Sequence, residues 1–414
     1  MRDLPQDAPY PFSLFDEPLV LFFDAAGAPV CLRDRCAHRA ARLSDGRLVD
    51  GGIECLYHGW QYAGDGQCRH IPQLPEHIGI PAKTCVTPYR VVERQGIVWL
   101  WAGDAQAADM EALPLTDALD DAEVQRVDFQ MDLPYDQTYL IENIIDVAHI
   151  HIAHDGVRGG GMRALAKPLE FDITEHSIRG IRSGFRTLGS GPSPGASQLK
   201  GALVEFLAPN LVRYTSEYRD PARVAGLALY SIPLGKSRCR LLYRKYSNFL
   251  SGRERWKPRW LEHWTQCLIL EQDMGVVVGQ YQEIERSGRD LKSLWFPIKT
   301  SDRLVIEYRR WLDKYGAALP FYRGFASSKS TMDSGLSTPP PVGRFQQHTV
   351  ICATCTRTHR TIGHAISVLW GTATLLAAFG IATAGSDYAV FGALGALITL
   401  SGVVGMKAIK RRFE

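Results

Sequence analysis

The sequence predicts an α+β protein in three successive parts: a small antiparallel β domain, an α+β domain of helix-grip type, and a C-terminal two-helix hairpin. Three observations carry this expectation. Residues 1–105 contain short β-like runs such as LVLFF and GIVWLW, separated by Gly and Pro turns. Residues 106–325 combine β-like runs, LVRYTSEYR and RLLYRKYSNF, with two helical stretches, TYLIENIIDVAHIHIAH and EHWTQCLILEQDMGVVVGQYQEI. Residues 365–406 form two apolar runs, preceded over 326–364 by a Ser/Pro-rich linker that ends in a C-x-x-C.

Composition narrows the function classes. The 414 residues are 45% hydrophobic, enough to fill the cores of two or three domains. The 47 basic and 44 acidic residues are spread along the chain, so no nucleic-acid partner is expected. Nine cysteines are an odd number, two of them beside histidines at metal-binding spacing. This pattern suits a reducing compartment with metal or redox chemistry rather than a disulfide scaffold. The opening MRDLPQDAPY has neither a basic start nor an apolar run, so neither a secretory signal nor a transit peptide is expected there.

The apolar runs Ala365–Ala384 and Tyr388–Met406 have no polar face, and about 20 residues of helix span about 30 Å. A transmembrane hairpin is expected. Gly392, Gly395, Ala396, Gly402 and Gly405 would let its helices approach closely. Arg357, His359 and Arg360 precede the pair, while Lys407, Lys410, Arg411 and Arg412 follow it. The intervening loop has no basic residue, so both ends are expected on the cytoplasmic or stromal side.

The first candidate metal site is Cys36-x-His38, then Cys55-x-x-His58. Each loop supplies one thiolate and one imidazole. That division suits a [2Fe–2S] cluster with sulfur ligands on one iron and histidines on the other. Cys₂His₂ zinc fingers instead place paired cysteines and paired histidines in separate halves.

The second lies in N-I-I-D-V-A-H-I-H-I-A-H, residues 143–154. Two histidines and one carboxylate hold Fe(II) with open positions for O₂ and substrate, and His149 and His154 are the chosen imidazoles. On a regular helix they would point about 140° apart, so a widening or a helix end is expected near Ile152. Asp146 can hydrogen-bond an imidazole's outer nitrogen, and His151 is read as structural. The carboxylate is expected from LEQDMGVVVGQ, where Asp273 is a charge inside an apolar helix. Glu271 is its rival.

CAHRAARLSDG and CLYHGWQYAGDG resemble the Rieske domain of Rieske non-haem iron oxygenases. The N-x-x-D-x-x-H-x-x-x-x-H pattern with its later E-Q-D resembles their oxygenase subunit. The CATC at Cys352 and Cys355, followed by two apolar helices, is similar to the pheophorbide a oxygenase branch. That branch also contains chlorophyllide a oxygenase. The resemblance implies a Rieske cluster, a mononuclear Fe(II), ferredoxin as electron donor, O₂, and a chlorophyll-derived tetrapyrrole substrate at a photosynthetic (thylakoid) membrane. It also implies a homotrimer in which one subunit's cluster feeds the neighbour's iron, with Asn143 and Asp146 as catalytic residues and Asp146 as the bridge. The Trp-Tyr-Pro stretch that opens the family's Rieske domain is missing, so an absent edge strand or an upstream start is expected.

Three readings of Cys352 and Cys355 remain open: a redox pair reduced by a thioredoxin-like partner, which the resemblance implies, a zinc site completed by His348 and His359, and two structural cysteines. Two further functions compete with the oxygenase of tetrapyrroles. One is a redox-sensing component of a membrane complex without turnover; the other is an oxygenase of another apolar ring. Substrate selectivity is expected from residues between about Phe171 and Tyr246.

Overall fold

The computed structural model describes residues 3–157, 160–188, 199–249, 256–327, 329 and 342–414. Of the linker expected over residues 326–364, residues 328 and 330–341 fall outside these residues, and its last part, from Ala353, is already helical.

The N-terminal part is two small antiparallel sheets. The first orders β1 (Tyr10–Leu14), β2 (Glu17–Phe23), β3 (Pro29–Arg33) and β8 (Pro88–Tyr89) as β1-β2-β3-β8. The second orders β4 (Arg47–Val49), β5 (Gly52–Glu54), β6 (Gln61–Tyr62) and β7 (Cys68–His70) in sequence. Val20, Phe22, Leu32, Leu43, Ile53 and Tyr62 fill the core between them. β1 lies at the edge of the first sheet and pairs with β2 from Tyr10↔Leu21 to Leu14↔Glu17. Phe15 and Asp16 turn the hairpin with φ of 50° and 65°, the left-handed pair of a type I′ turn. Their N–H groups donate to the carbonyls of Pro233 and Leu234, which docks the hairpin on the second domain.

β9 (Val91–Arg94) and β10 (Ile97–Leu100) form a separate ribbon. Trp99 meets Tyr230 edge-on at 5.5 Å, within a core that includes Leu211, Ala228 and Tyr246. The ribbon thus bridges the two parts, β9 lying against β3 while Trp99 packs on the second domain.

The second domain is one seven-stranded antiparallel sheet. Its strands are β11 (Gln125–Leu133), β12 (Leu169–Ser177), β13 (Gly180–Thr187), β14 (Leu199–Leu207), β15 (Leu211–Tyr218), β16 (Ala225–Gly235) and β17 (Arg238–Ser247). Their order is β11-β17-β16-β15-β14-β13-β12, which leaves β11 and β12 at the edges. Three helices share the sheet's apolar core: α1 (Gln137–Ile145), the long α3 (Arg259–Ser287) and α5 (Arg303–Tyr315), with the one-turn helices α2 (Ile150–Ala153) and α4 (Leu291–Leu294) between them. Met131, Leu133, Ile141, Phe206, Leu229, Leu241, Met274, Tyr308 and Trp311 unite sheet and helices in one core, the helix-grip arrangement expected.

The tail is α6 (Ala353–Ala382) packed on α7 (Asp387–Lys410). A Cβ at Gly392 would lie 2.7 Å from the Gly380 Cα, so glycine there permits the close approach expected from the sequence. Both helices are long and apolar enough to cross a membrane, with mean hydropathies of 1.8 and 2.0 over their most apolar stretches. Those stretches are mostly exposed, only 6% and 17% buried. A core of soluble protein would bury them.

Candidate metal centres

In the first domain the cluster loops leave β3 and β5. Cys36 and Cys55 are buried at 3% and 2% exposure, whereas His38 is exposed and His58 half-buried. Each loop closes on its own cysteine: Ala40 N–H donates to the Cys36 carbonyl, and Gly59 N–H to that of Cys55. Gly59 takes a φ of +74°, a left-handed turn that a side chain would strain. The His38 and His58 ring centroids lie 4.4 Å apart, and His38 stacks on Trp60 at 4.6 Å. The Tyr62 hydroxyl sits 3.2 Å from the Cys36 sulfur. Burial pushes the Cys55 thiol up, while backbone N–H groups of Tyr57 and His58 pull it back by favouring the thiolate. Two buried thiols backed by hydrogen-bond donors, with two imidazoles at the rim, are a donor set that fits a [2Fe–2S] cluster.

In the second domain the expected continuous helix is broken. α1 stops at Ile145 because Asp146 is extended, with ψ of 104°, and its carboxylate accepts from Ala148 N–H. α2 then ends at Ala153, and His154 caps it at ψ of 24°. The helix end expected near Ile152 is therefore found, and it turns His149 and His154 toward each other.

Asp273 comes from the middle of α3. Its Oδ1 lies 3.6 Å from His149 Nε2 and 3.3 Å from His154 Nε2. One donor atom from each of the three residues lies within 4.8 Å of the others. His154 Nδ1 is 3.1 Å from Gln272 Oε1, which leaves Nε2 facing the centre. The Asp273 carboxylate raises the His154 imidazole pKa, opposed by burial. His149 Nδ1 is buried without a hydrogen bond, 3.4 Å from Asp146 Oδ2. Two imidazoles and a carboxylate with one side open fit a facial iron site. Glu271, the rival carboxylate, faces away and is held by Arg344 through two 2.6 Å bonds. His151 accepts from Met162 N–H at 3.3 Å, the structural role expected.

A cavity of about 420 Å³ opens beside these ligands, and Asn143, Asp146, His149 and Asp273 line it. Its outer wall is Leu294, Trp295, Phe296 and Pro297. None of the described residues between 171 and 246, expected to set selectivity, lines this cavity, and Leu294–Pro297 does so instead. Sequence reasoning missed this LWFP segment, whose Phe296 is 92% exposed. It also missed Gln272, the neighbour of Asp273. A second cavity of about 450 Å³ lies between the N-terminal domain and β11, β16 and β17, and it contains none of these ligands.

A third group is fully buried: His263 of α3, His348, Cys352 and Cys355. His359, expected as the fourth member, is absent from it. Its Nε2 lies 3.5 Å from Glu414, and its ring packs against Phe345 and Phe413.

A Rieske-type β domain joined to a helix-grip domain in which two histidines and an aspartate converge defines a Rieske non-haem iron oxygenase. The sequence matches the Rieske [2Fe–2S] domain over residues 1–89 and pheophorbide a oxygenase over residues 206–290. "Protein TIC 55, chloroplastic" of Arabidopsis thaliana is 32% identical over 410 residues, spanning 92% of this chain and 75% of that protein. Pheophorbide a oxygenase, chloroplastic, of Oryza sativa subsp. japonica is 30% identical over 386 residues, spanning 86% and 70%. Dicamba monooxygenase bound to dicamba shares the fold, with a TM-score of 0.61 at 22% identity over 75% of this chain and 92% of that one. The chain belongs to the pheophorbide a oxygenase branch of the Rieske oxygenases. Its cofactors are a Rieske [2Fe–2S] cluster and a mononuclear iron, and its reaction takes O₂ and an external electron donor.

Proposed function

We propose that the chain oxygenates a chlorophyll-derived tetrapyrrole, with Cys36, His38, Cys55 and His58 holding the cluster and His149, His154 and Asp273 holding the mononuclear iron. The observation that carries this reading is the convergence of those three residues, of which His149 and Asp273 line a cavity of about 420 Å³ that Leu294, Trp295, Phe296 and Pro297 also line. Iron held there supplies a redox centre with positions open to O₂ and substrate. Gln272 orients His154, and Asp146 is placed to do the same for His149. Trp295 and Phe296 offer flat apolar surface to a macrocycle, while Asn143 and Gln280 bring amides to the same cavity.

The electron donor on this reading is ferredoxin, and a homotrimer brings one subunit's cluster to Asp146 of the next. The hairpin of α6 and α7 tethers the enzyme to a plastid membrane, from which an apolar pigment is drawn. Their exposed apolar surface and the chloroplast location named for the relatives support that placement.

The test is anaerobic incubation of the full-length protein with candidate chlorophyll catabolites and reduced ferredoxin, then ¹⁸O₂ and mass analysis. The expected product carries the label. His149→Ala is expected to abolish it while leaving the cluster's visible spectrum intact, and iron should fall from about three to about two per chain. Turnover by that variant would sink the ligand assignment. Labelling of a different apolar ring, with none of the pigments, would overturn the substrate class.

A further inference from the structure

We propose that His263, His348, Cys352 and Cys355 hold a structural zinc ion, separate from both iron centres. His263 comes from α3, ten residues before Asp273. His348 lies in a π-type turn, Phe345–Thr349, while Cys352 caps α6 and Cys355 sits in its first turn. All four side chains are buried, at 2% exposure or less.

Their separations suit one small ion. His348 Nε2 is 3.2 Å from Cys355 Sγ, and His263 Nδ1 is 3.4 Å from both Cys352 Sγ and Cys355 Sγ. Tetrahedral zinc, with Zn–S of about 2.3 Å and Zn–N of about 2.0 Å, places such atoms about 3.5 Å apart. The outer nitrogens are committed as well. His263 Nε2 donates to the Asp128 carbonyl at 2.9 Å, and His348 Nδ1 donates to the Gln130 carbonyl at 2.6 Å. These two bonds fix the tautomers so that each ring turns an unprotonated nitrogen toward the thiols. A disulfide pair needs neither imidazole, whereas a metal needs both. Two sulfurs and two nitrogens in tetrahedral array select zinc among common ions, and four protein ligands with no open position make the site structural. Binding displaces the two thiol protons to solvent and leaves a neutral Zn(S⁻)₂(N)₂ unit.

The site would pin three elements together: α3, which carries Asp273, the sheet edge at β11, and the start of α6. Asp3 accepts from Ala353 N–H at 2.8 Å, and Arg344 binds Glu271 beside the same junction.

The test is metal analysis of the full-length protein with both iron centres intact, followed by X-ray absorption at the zinc edge, where iron does not interfere. The expected result is about one zinc per chain with two sulfurs at about 2.3 Å and two nitrogens at about 2.0 Å. Cys355→Ser and His348→Ala should lose most of the zinc, while His359→Ala should keep it. Because the first two variants could misfold, the wild-type absorption spectrum stands as the independent measurement. A chain without zinc, from which Cys352 and Cys355 are recovered as a thioredoxin-reducible disulfide, overturns the proposal in favour of the redox pair. A zinc shell of oxygen and nitrogen alone overturns it too.

Discussion

Replacing Arg309 with Met should destabilise the catalytic domain by several kcal/mol and disturb the iron cavity without touching a metal ligand. Arg309 has no exposed surface, yet it carries a full charge. Its Nε donates to Glu142 Oε2 at 2.6 Å, its Nη1 donates to the Arg323 carbonyl, and its guanidinium lies 4.8 Å from the Tyr139 ring centroid. Glu142 is buried too, accepts from Gln280 at 3.0 Å, and lines the cavity next to Asn143. Met fills much of the same volume but strands the carboxylate. Breaking a buried pair from one side costs about 3–5 kcal/mol. At about 2–4 °C per kcal/mol for a domain of this size, Tm should fall by about 10 °C.

The pH dependence adds a signed check. Burial lifts the Glu142 carboxyl above the ordinary Glu range, and Arg309 pulls it back. Without Arg309 it rises further. A carboxyl whose folded pKa exceeds its unfolded one loses stability as pH climbs between the two values. The variant's deficit should therefore be smallest in acid, below the ordinary Glu value, and grow toward neutral pH. Thermal unfolding followed by tryptophan fluorescence at several pH values measures both effects. Glu142→Gln added to Arg309→Met should recover part of the loss. A shift under about 2 °C, or a double variant no better than the single, would refute the reasoning.

Three further outcomes are expected. Tyr62→Phe removes the hydroxyl beside the Cys36 sulfur, and a bond to a charged acceptor of about 1.5 kcal/mol corresponds to about 65 mV for one electron. The cluster potential should thus drop by several tens of mV in a redox titration. Gln272→Leu frees the His154 ring and should weaken iron binding about 10- to 100-fold, read by chelator competition, with the cluster spectrum unchanged. Phe296→Ala removes a side chain that is 92% exposed, so Tm should hold; losing its contact with substrate should raise KM about tenfold.

The residues proposed to bind iron were legible in the sequence wherever they lie close together in the chain. Cys36, His38, Cys55 and His58 sit on two short loops, and the spacing of His149 and His154 already demanded a helix end. Asp273 was readable because a charge in an apolar helix needs a partner. His263 was not, because the thiols it meets lie 89 and 92 residues away, and no local pattern encodes that meeting. His359 had the better spacing, but four residues past Cys355 it lies against Phe345 and Phe413 instead. The aromatic wall at Trp295 and Phe296 was missed for a similar reason. Tertiary docking of the segment after α4 brings it to the ligands, and that segment has no periodicity to announce it.

The edge position of β11 has a consequence for solubility. Among the described residues β11 pairs with β17 on one side only, so the carbonyls of Asp128 and Gln130 on its other side could accept a strand from another molecule. Instead they receive His263, Arg259 and His348. The imidazoles that face the buried thiols thus also blunt the sheet's open edge. A chain in which the tail has not docked would present that edge bare, and self-association through β11, rather than unfolding, should be its first visible failure.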